Sequence, residues 1–183
     1  MVKIIQKGDP LLEKRAKEVP PSTRGTTKLA KIITDMQTAM HNEDDSVAIA
    51  APQIGVSLRM FVVSGPFYEG TYGKEEERGS KKKEGKDLVF INPKITKHSK
   101  KTSLSEEGCL SVRPWYGEVT RYKNVTVEAQ DEKGRRFTRG AGGLLAQIFQ
   151  HEIDHLDGIL FDSKAKHLRI MKLNDTTEEF HEE

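Results

Sequence analysis

Two segments of the chain carry apolar residues at helical spacing. Between Thr27 and His41, the residues Leu29, Ile32, Ile33, Met36, Ala39 and Met40 recur three or four positions apart. That spacing predicts a helix with one inward face, preceded by the stop Pro20-Pro21 and followed by the acidic run NEDD. After Gly142-Gly143 the pattern returns from Leu144 to Leu156. Here Leu145, Ile148, Phe149, Glu152 and Leu156 form one stripe, and Leu144, Ile148, His151 and His155 form the one beside it. The two histidines therefore border an apolar face.

Strand signals lie between these helices. The runs RMFVV (Arg59 to Val63) and LVFINP (Leu88 to Pro93) are β-branched and aromatic, the second closed by a proline. From Val125 to Gly140 apolar and polar residues alternate on both sides of Asp131-Glu132-Lys133-Gly134, which predicts a hairpin. The stretch 65–87, rich in Gly, Lys and Glu, reads as a solvated loop or hairpin, and 168–183 as a polar tail. With no repeat and no internal boundary, the expectation is one catalytic domain over 1–183 of α+β class, with antiparallel sheets packed around a late, buried helix.

Composition narrows the function classes. The chain has 183 residues, long enough for a core without disulfides. Its 30 Lys+Arg against 28 Asp+Glu leave a formal charge of +2, so bulk charge points neither to DNA nor to a membrane surface. A single cysteine, Cys109, permits no internal disulfide and suits a reducing compartment. The start MVKIIQKGDP has neither the apolar core of a signal peptide nor the character of a transit peptide, so a soluble, cytoplasmic protein is expected.

The candidate chemistry sits in the late helix, in QHEIDHLDG (Gln150 to Gly158). Residues four apart on a helix face the same way, so His151 and His155 can direct ring nitrogens at one metal ion with Glu152 beside it. A water activated at such an ion needs a carboxylate to move its proton, which is the reason for a glutamate at that position. The plainer reading is an amphipathic helix with two satisfied histidines, and a third ligand decides between them. The extended zinc-protease pattern requires a histidine at position 161, where this chain has Phe161. Glu178 or Glu179 lies in the polar tail, a poor place for a rigid ligand. Upstream stands Cys109, in EEGCLS; a thiolate is a strong transition-metal ligand, although a lone cysteine also serves as a small buried hydrophobe.

EGCLS and HEIDH, in that order, resemble the motifs of the peptide deformylases, which remove the formyl group from the N-terminal methionine of nascent chains. Ser46 to Gly55, SVAIAAPQIG, resembles the family's first motif, G-x-G-x-A-A-x-Q, with Gln53 at the glutamine position. GDPLLEKRAKEV, INPKI and WYGEV fit the same family, so the resemblance extends to about Lys166. The two glycines of the first motif are here Ser46 and Ala48. Either the backbone there tolerates a β-carbon or the substrate sits differently.

The resemblance implies Cys109, His151 and His155 as metal ligands and Glu152 as the proton-transfer group. It assigns oxyanion stabilisation to the Gln53 side-chain amide and the Leu110 backbone N–H. The methionine pocket would lie near Val47, Ala48, Gly108, Leu110 and Ile148, with Gln147 standing where the family usually has an apolar residue. The implied metal is Fe2+, with Ni2+, Co2+ or Zn2+ able to substitute. The implied partners are N-formylmethionyl nascent peptides, with transient ribosome contact, to which Lys81-Lys82-Lys83 offers a weak link. The rival expectations are a metallohydrolase of the same fold with a shifted substrate, and an inactive protein that binds nascent N-termini.

Overall fold

The computed structural model describes residues 2–68 and 85–170. Its elements are α1 (Thr27–His41), β1 (Ala48–Ala50), β2 (Met60–Val63), the single turn α2 (Gly65–Tyr68), β3 (Leu88–His98), β4 (Thr102–Gly108), β5 (Trp115–Tyr122), β6 (Asn124–Gln130), β7 (Arg136–Gly142), α3 (Gly143–Leu156) and β8 (Lys166–Ile170). Short 3-10 turns at Pro21–Thr23, Ala51–Ile54 and Phe161–Ser163 complete the frame. The expected α+β class, antiparallel sheets around the HEIDH helix, is the observed one.

The strands form a five-stranded sheet, ordered β1-β2-β3-β6-β7, and a three-stranded sheet, ordered β4-β5-β8, with every pairing antiparallel. Strand β2 explains why this fold needs helices on both faces of the larger sheet. All four of its residues are buried, so the strand cannot show one face to water. Met60 and Val62 pack with Leu29, Ile33, Met36 and Met40 of α1 on one side. Phe61 and Val63 pack with Phe149, Ile153 and Leu156 of α3 on the other. Helix α1 starts where Thr26 Oγ1 accepts the backbone N–H of Leu29, and its buried stripe is the one its sequence spacing predicts.

Helix α3 is held between the two sheets. Against the larger one, Phe149 meets Phe90 at a centroid distance of 4.9 Å, and Phe61 stacks on Phe90 at 4.6 Å. Towards β5, Gln150 closes a two-way bond with the backbone of Tyr122: its Oε1 accepts the N–H at 2.9 Å and its Nε2 donates to the carbonyl at 3.0 Å. The end of the helix is capped by buried Arg59, which donates to the Leu156 carbonyl and to Asp157 Oδ1 at 2.7 Å. A cation at a helix C-terminus satisfies orphan carbonyls and opposes the helix dipole.

Two sequence expectations change in detail. Pro93 does not close its strand; β3 runs on to His98, because the proline sits at a register shift between Ile91 and Lys94, where a missing N–H breaks no ladder bond. Residues 168–170, expected in the polar tail, belong to β8, paired with β5. Of the stretch 65–87, its two ends meet where Asp87 Oδ1 accepts the Gly65 N–H at 3.0 Å; its middle, with Lys81 to Lys83, lies outside the described residues, as does the tail from 171.

Candidate metal centre

Helix α3 places His151 and His155 one turn apart, with ring centroids 5.0 Å from each other. Strand β4 ends at Gly108 and delivers Cys109 to the same point, where Sγ lies 3.2 Å from His155 Nε2. The ligand atoms of the three residues all fall within 4.8 Å of one another. Cys109 and His155 are buried, and His151 is nearly so. Two imidazoles and one thiol converging from largely buried positions form a donor set suited to a divalent transition metal. The sulfur also receives the backbone N–H of Ser111 at 3.4 Å and the Gln53 amide at 3.6 Å.

The ligand rings are held from behind. Glu107, beside Gly108 in β4, bonds to His151 Nδ1 at 2.9 Å, which leaves Nε2 as the ring's nitrogen for a metal. Arg121 of β5 grips the same carboxylate through Nε at 2.7 Å and Nη2 at 2.8 Å, and its Nη1 reaches Asp154 of α3 at 2.5 Å. Burial pushes the Glu107 carboxyl up, but hydrogen bonds from Arg121 and His151 outweigh it and hold its pKa down at about 2. Burial, with the charge of His151, holds His155 well below the usual imidazole range, so it stays neutral as a ligand must. His151 goes the other way: burial opposes its charge, but bonds to Cys109 and Glu107 raise it well above that range, so a metal bound there would displace a ring proton.

Glu152 is buried at 4% exposure, and its Oε2 has no hydrogen-bond partner. Burial pushes its carboxyl up to about 7, with Glu107 adding to the rise and His151 opposing it. A carboxyl near neutrality can both take and return a proton. Across the pocket, Gln53 sits in the 3-10 turn after β1. Its Oε1 accepts the Ala50 N–H at 2.8 Å, so its amide nitrogen is turned towards Cys109 and Ser111 Oγ, at 3.2 Å from the latter.

A cavity of about 230 Å³ opens onto these groups. Val47, Ala48, Gly108, Leu110 and Ile148 all line it, together with Gln53, Cys109, His151 and Glu152. The structure thus brings every sequence-derived site residue to this cavity or, for His155, directly behind it. Gly108 is required by packing: a β-carbon there would stand 2.4 Å from the ring of Tyr116, its partner across the strands. Ser46 and Ala48 are not among the non-glycine residues with positive φ, so their backbone carries a β-carbon without strain. Gln147 donates to the Glu106 carbonyl at 2.7 Å and gives one edge of the cavity a polar border.

Several contributors carry little signal in the sequence. Glu107 and Ser111 flank Cys109 within EEGCLS, and that adjacency was the available signal. Arg121 had none beyond an inward position on an alternating strand. Trp115, Leu144 and Arg113 also border the cavity, Arg113 bonding Glu43 at 2.8 Å and Asp45 at 2.5 Å across its rim.

A model of the polypeptide deformylase family matches residues 1–170. The chain is 41% identical over 162 residues to peptide deformylase 1A, chloroplastic/mitochondrial, of Arabidopsis thaliana, covering 88% of this chain and 60% of the relative. It spans about three-fifths of that plant protein's length. To the peptide deformylase of Roseiflexus sp. (strain RS-1) it is 44% identical over 147 residues, 79% of this chain and 77% of the relative. The class I type b peptide deformylase of Acinetobacter baumannii, solved with Met-Ala-Ser bound, superposes with a TM-score of 0.75 at 30% identity, covering 90% of this chain and 98% of that one. With its fold, its Cys-His-His cluster and its sequence in agreement, the chain belongs to the polypeptide deformylase family.

Proposed function

We propose that the protein hydrolyses the N-formyl group of N-terminal formylmethionine in newly made polypeptides, releasing formate. The observation that supports this most is the convergence of Cys109, His151 and His155, the first two lining and the third directly behind a cavity that also presents Glu152 and the Gln53 amide. Cys109, His151 and His155 would hold the metal, for which we propose Fe2+, with Ni2+, Co2+ or Zn2+ able to take its place. Bound there, the ion supplies Lewis acidity and draws the pKa of a water towards neutrality.

The chain's own groups do the remaining work. Glu152 accepts the proton of the attacking water and returns it to the leaving amine, a role suited to its buried carboxyl with a pKa near 7. Gln53 Nε2 and the Leu110 N–H donate to the developing oxyanion, each such donor being worth about 3 kcal/mol. Val47, Ala48, Gly108 and Ile148 shape an apolar slot for the methionine side chain and keep bulk water out. Glu107 and Arg121 act through His151 by fixing its ring.

The Met-Ala-Ser held by the Acinetobacter relative supports a peptide substrate that begins with methionine. Among the described residues no helix is long and apolar enough to cross a membrane. We place the protein in the cytoplasm, in transient contact with ribosomes that present its substrate; a thiolate ligand suits that reducing setting. Comparing kcat/KM for formyl-Met-Ala-Ser and acetyl-Met-Ala-Ser tests the reading. A preference of two orders of magnitude or more for the formyl peptide is expected; equal turnover, or turnover of the acetyl peptide alone, would replace it with a shifted substrate.

A further inference from the structure

The near-balanced total charge conceals a sharp local segregation. From Ile95 to Ser105 and from Val119 to Val127 the chain has no Asp or Glu, yet it holds Lys97, Lys100, Lys101, Arg121 and Lys123. Arg121 turns inward to Glu107 and Asp154, whereas the four lysines are exposed. Among the described residues none of these four has a carboxylate within 4.0 Å; other exposed lysines such as Lys3, Lys14 and Lys28 are also unpaired, but they do not share one short stretch free of acidic residues.

The fold gathers these lysines at one corner, where the β3–β4 and β5–β6 turns lie side by side. Ser99 N–H donates to the Asn124 carbonyl at 2.9 Å and Lys123 N–H to the Lys101 carbonyl at 3.1 Å. Ser99 Oγ ties both turns together, donating to the Lys101 carbonyl at 2.7 Å and accepting the Asn124 N–H at 3.2 Å. On this frame, exposed His98 of β3 stacks on Tyr122 of β5 with ring centroids 3.9 Å apart, and Leu104 of β4, the strand paired with β5, stands 56% exposed. Aromatic rings left in water among unpaired cations match what single-stranded nucleic acid requires: phosphates for the ammonium groups and a base plane for the ring stack. The acidic groups lie elsewhere, with Asp45 and Glu106 at the cavity mouth.

We propose that this corner is a docking site for single-stranded RNA, separate from the catalytic cavity and independent of the deformylase reading. Lys97, Lys100, Lys101 and Lys123 neutralise backbone phosphates, and the His98–Tyr122 stack receives a base. Gln150 joins Tyr122 to α3, so the site is set in the same rigid body as the catalytic helix.

Fluorescence anisotropy of the intact protein with a labelled 20-nucleotide single-stranded RNA tests the proposal. Four phosphate contacts predict binding that weakens about 50-fold between 50 and 200 mM salt. The triple variant Lys97→Gln/Lys100→Gln/Lys101→Gln should make the log–log salt slope shallower by about 2. Tyr122→Leu should weaken binding about tenfold at an unchanged slope. Circular dichroism should show both variants folded, and formate release by the lysine variant should equal that of the parent. The proposal fails if the parent does not bind RNA at 50 mM salt, or if the lysine variant binds as the parent does. It also fails if Lys81→Gln/Lys82→Gln/Lys83→Gln alone abolishes binding, or if phosphatidylglycerol vesicles or duplex DNA bind as tightly as the RNA.

Discussion

The carboxylate of Glu107 holds Nδ1 of His151 at 2.9 Å while Arg121 grips it from the other side, so one ligand ring is fixed by an ion pair buried between β4, β5 and α3. Loss of such a supporting partner typically weakens a metal site about 10- to 100-fold. Glu107→Gln is therefore expected to lower metal affinity by that factor, with Glu152 and the cavity intact. Competition with a chromogenic chelator measures it; unchanged affinity would remove Glu107 from the supporting role.

The same carboxylate sets an acid limit on stability. Its folded pKa of about 2 lies below the ordinary 4.5, so the folded state binds fewer protons than the unfolded state between those values. The contribution is fully present above pH 4.5 and is lost as pH falls towards 2, amounting to about 3 kcal/mol. Urea unfolding of metal-free protein across this window should show a steeper loss for the parent than for Glu107→Gln. Parallel curves would contradict the assignment.

Glu152 has the opposite sign. Its folded pKa of about 7 exceeds 4.5, so the folded state binds the extra proton and stability falls as pH rises from 4.5 to 7. Glu152→Gln should leave the metal bound and abolish most formate release, yet make the metal-free protein more stable at pH 8, by up to about 3 kcal/mol. Metal analysis, turnover and urea midpoints on one preparation check all three outcomes. A destabilised variant at pH 8 would show that the buried carboxylate carries no such strain.

Phe149 joins the site to the core, lying fully buried against Phe90 and Phe61 immediately before Gln150 and His151. Phe149→Ala should cost about 3–5 kcal/mol of stability. Denaturant unfolding with metal bound gives the value; a loss below about 1 kcal/mol would mean that α3 is anchored mainly by its polar contacts.

Much of this architecture is legible in the residues because local signals agree with the fold. The stripe from Leu29 to Met40 and the HEIDH helix each need one apolar face, and the β6–β7 hairpin turns on Asp131 and Gly134 as its sequence suggests. Strands β4, β5 and β8 are harder to see. EEGCLS and WYGEV draw the eye as chemistry, and the exposed positions of β8 carry no burial pattern. The ligands are readable because ordered motifs name them. Arg121 is not, since its partner Glu107 lies 14 residues away and only strand pairing brings the two together. The RNA corner escapes a count of total charge for the same reason: two turns far apart in sequence become one surface.

The proposed site is one metal ion held by Cys109, His151 and His155 and required to remove a formyl group. Its most direct test is metal content measured together with formate release from formyl-Met-Ala-Ser, on protein prepared anaerobically with Fe2+. One ion per chain, with turnover abolished in Cys109→Ser along with the bound metal, is the expected result. Full metal occupancy and undiminished turnover in Cys109→Ser, or an iron-loaded parent that releases no formate, would contradict it.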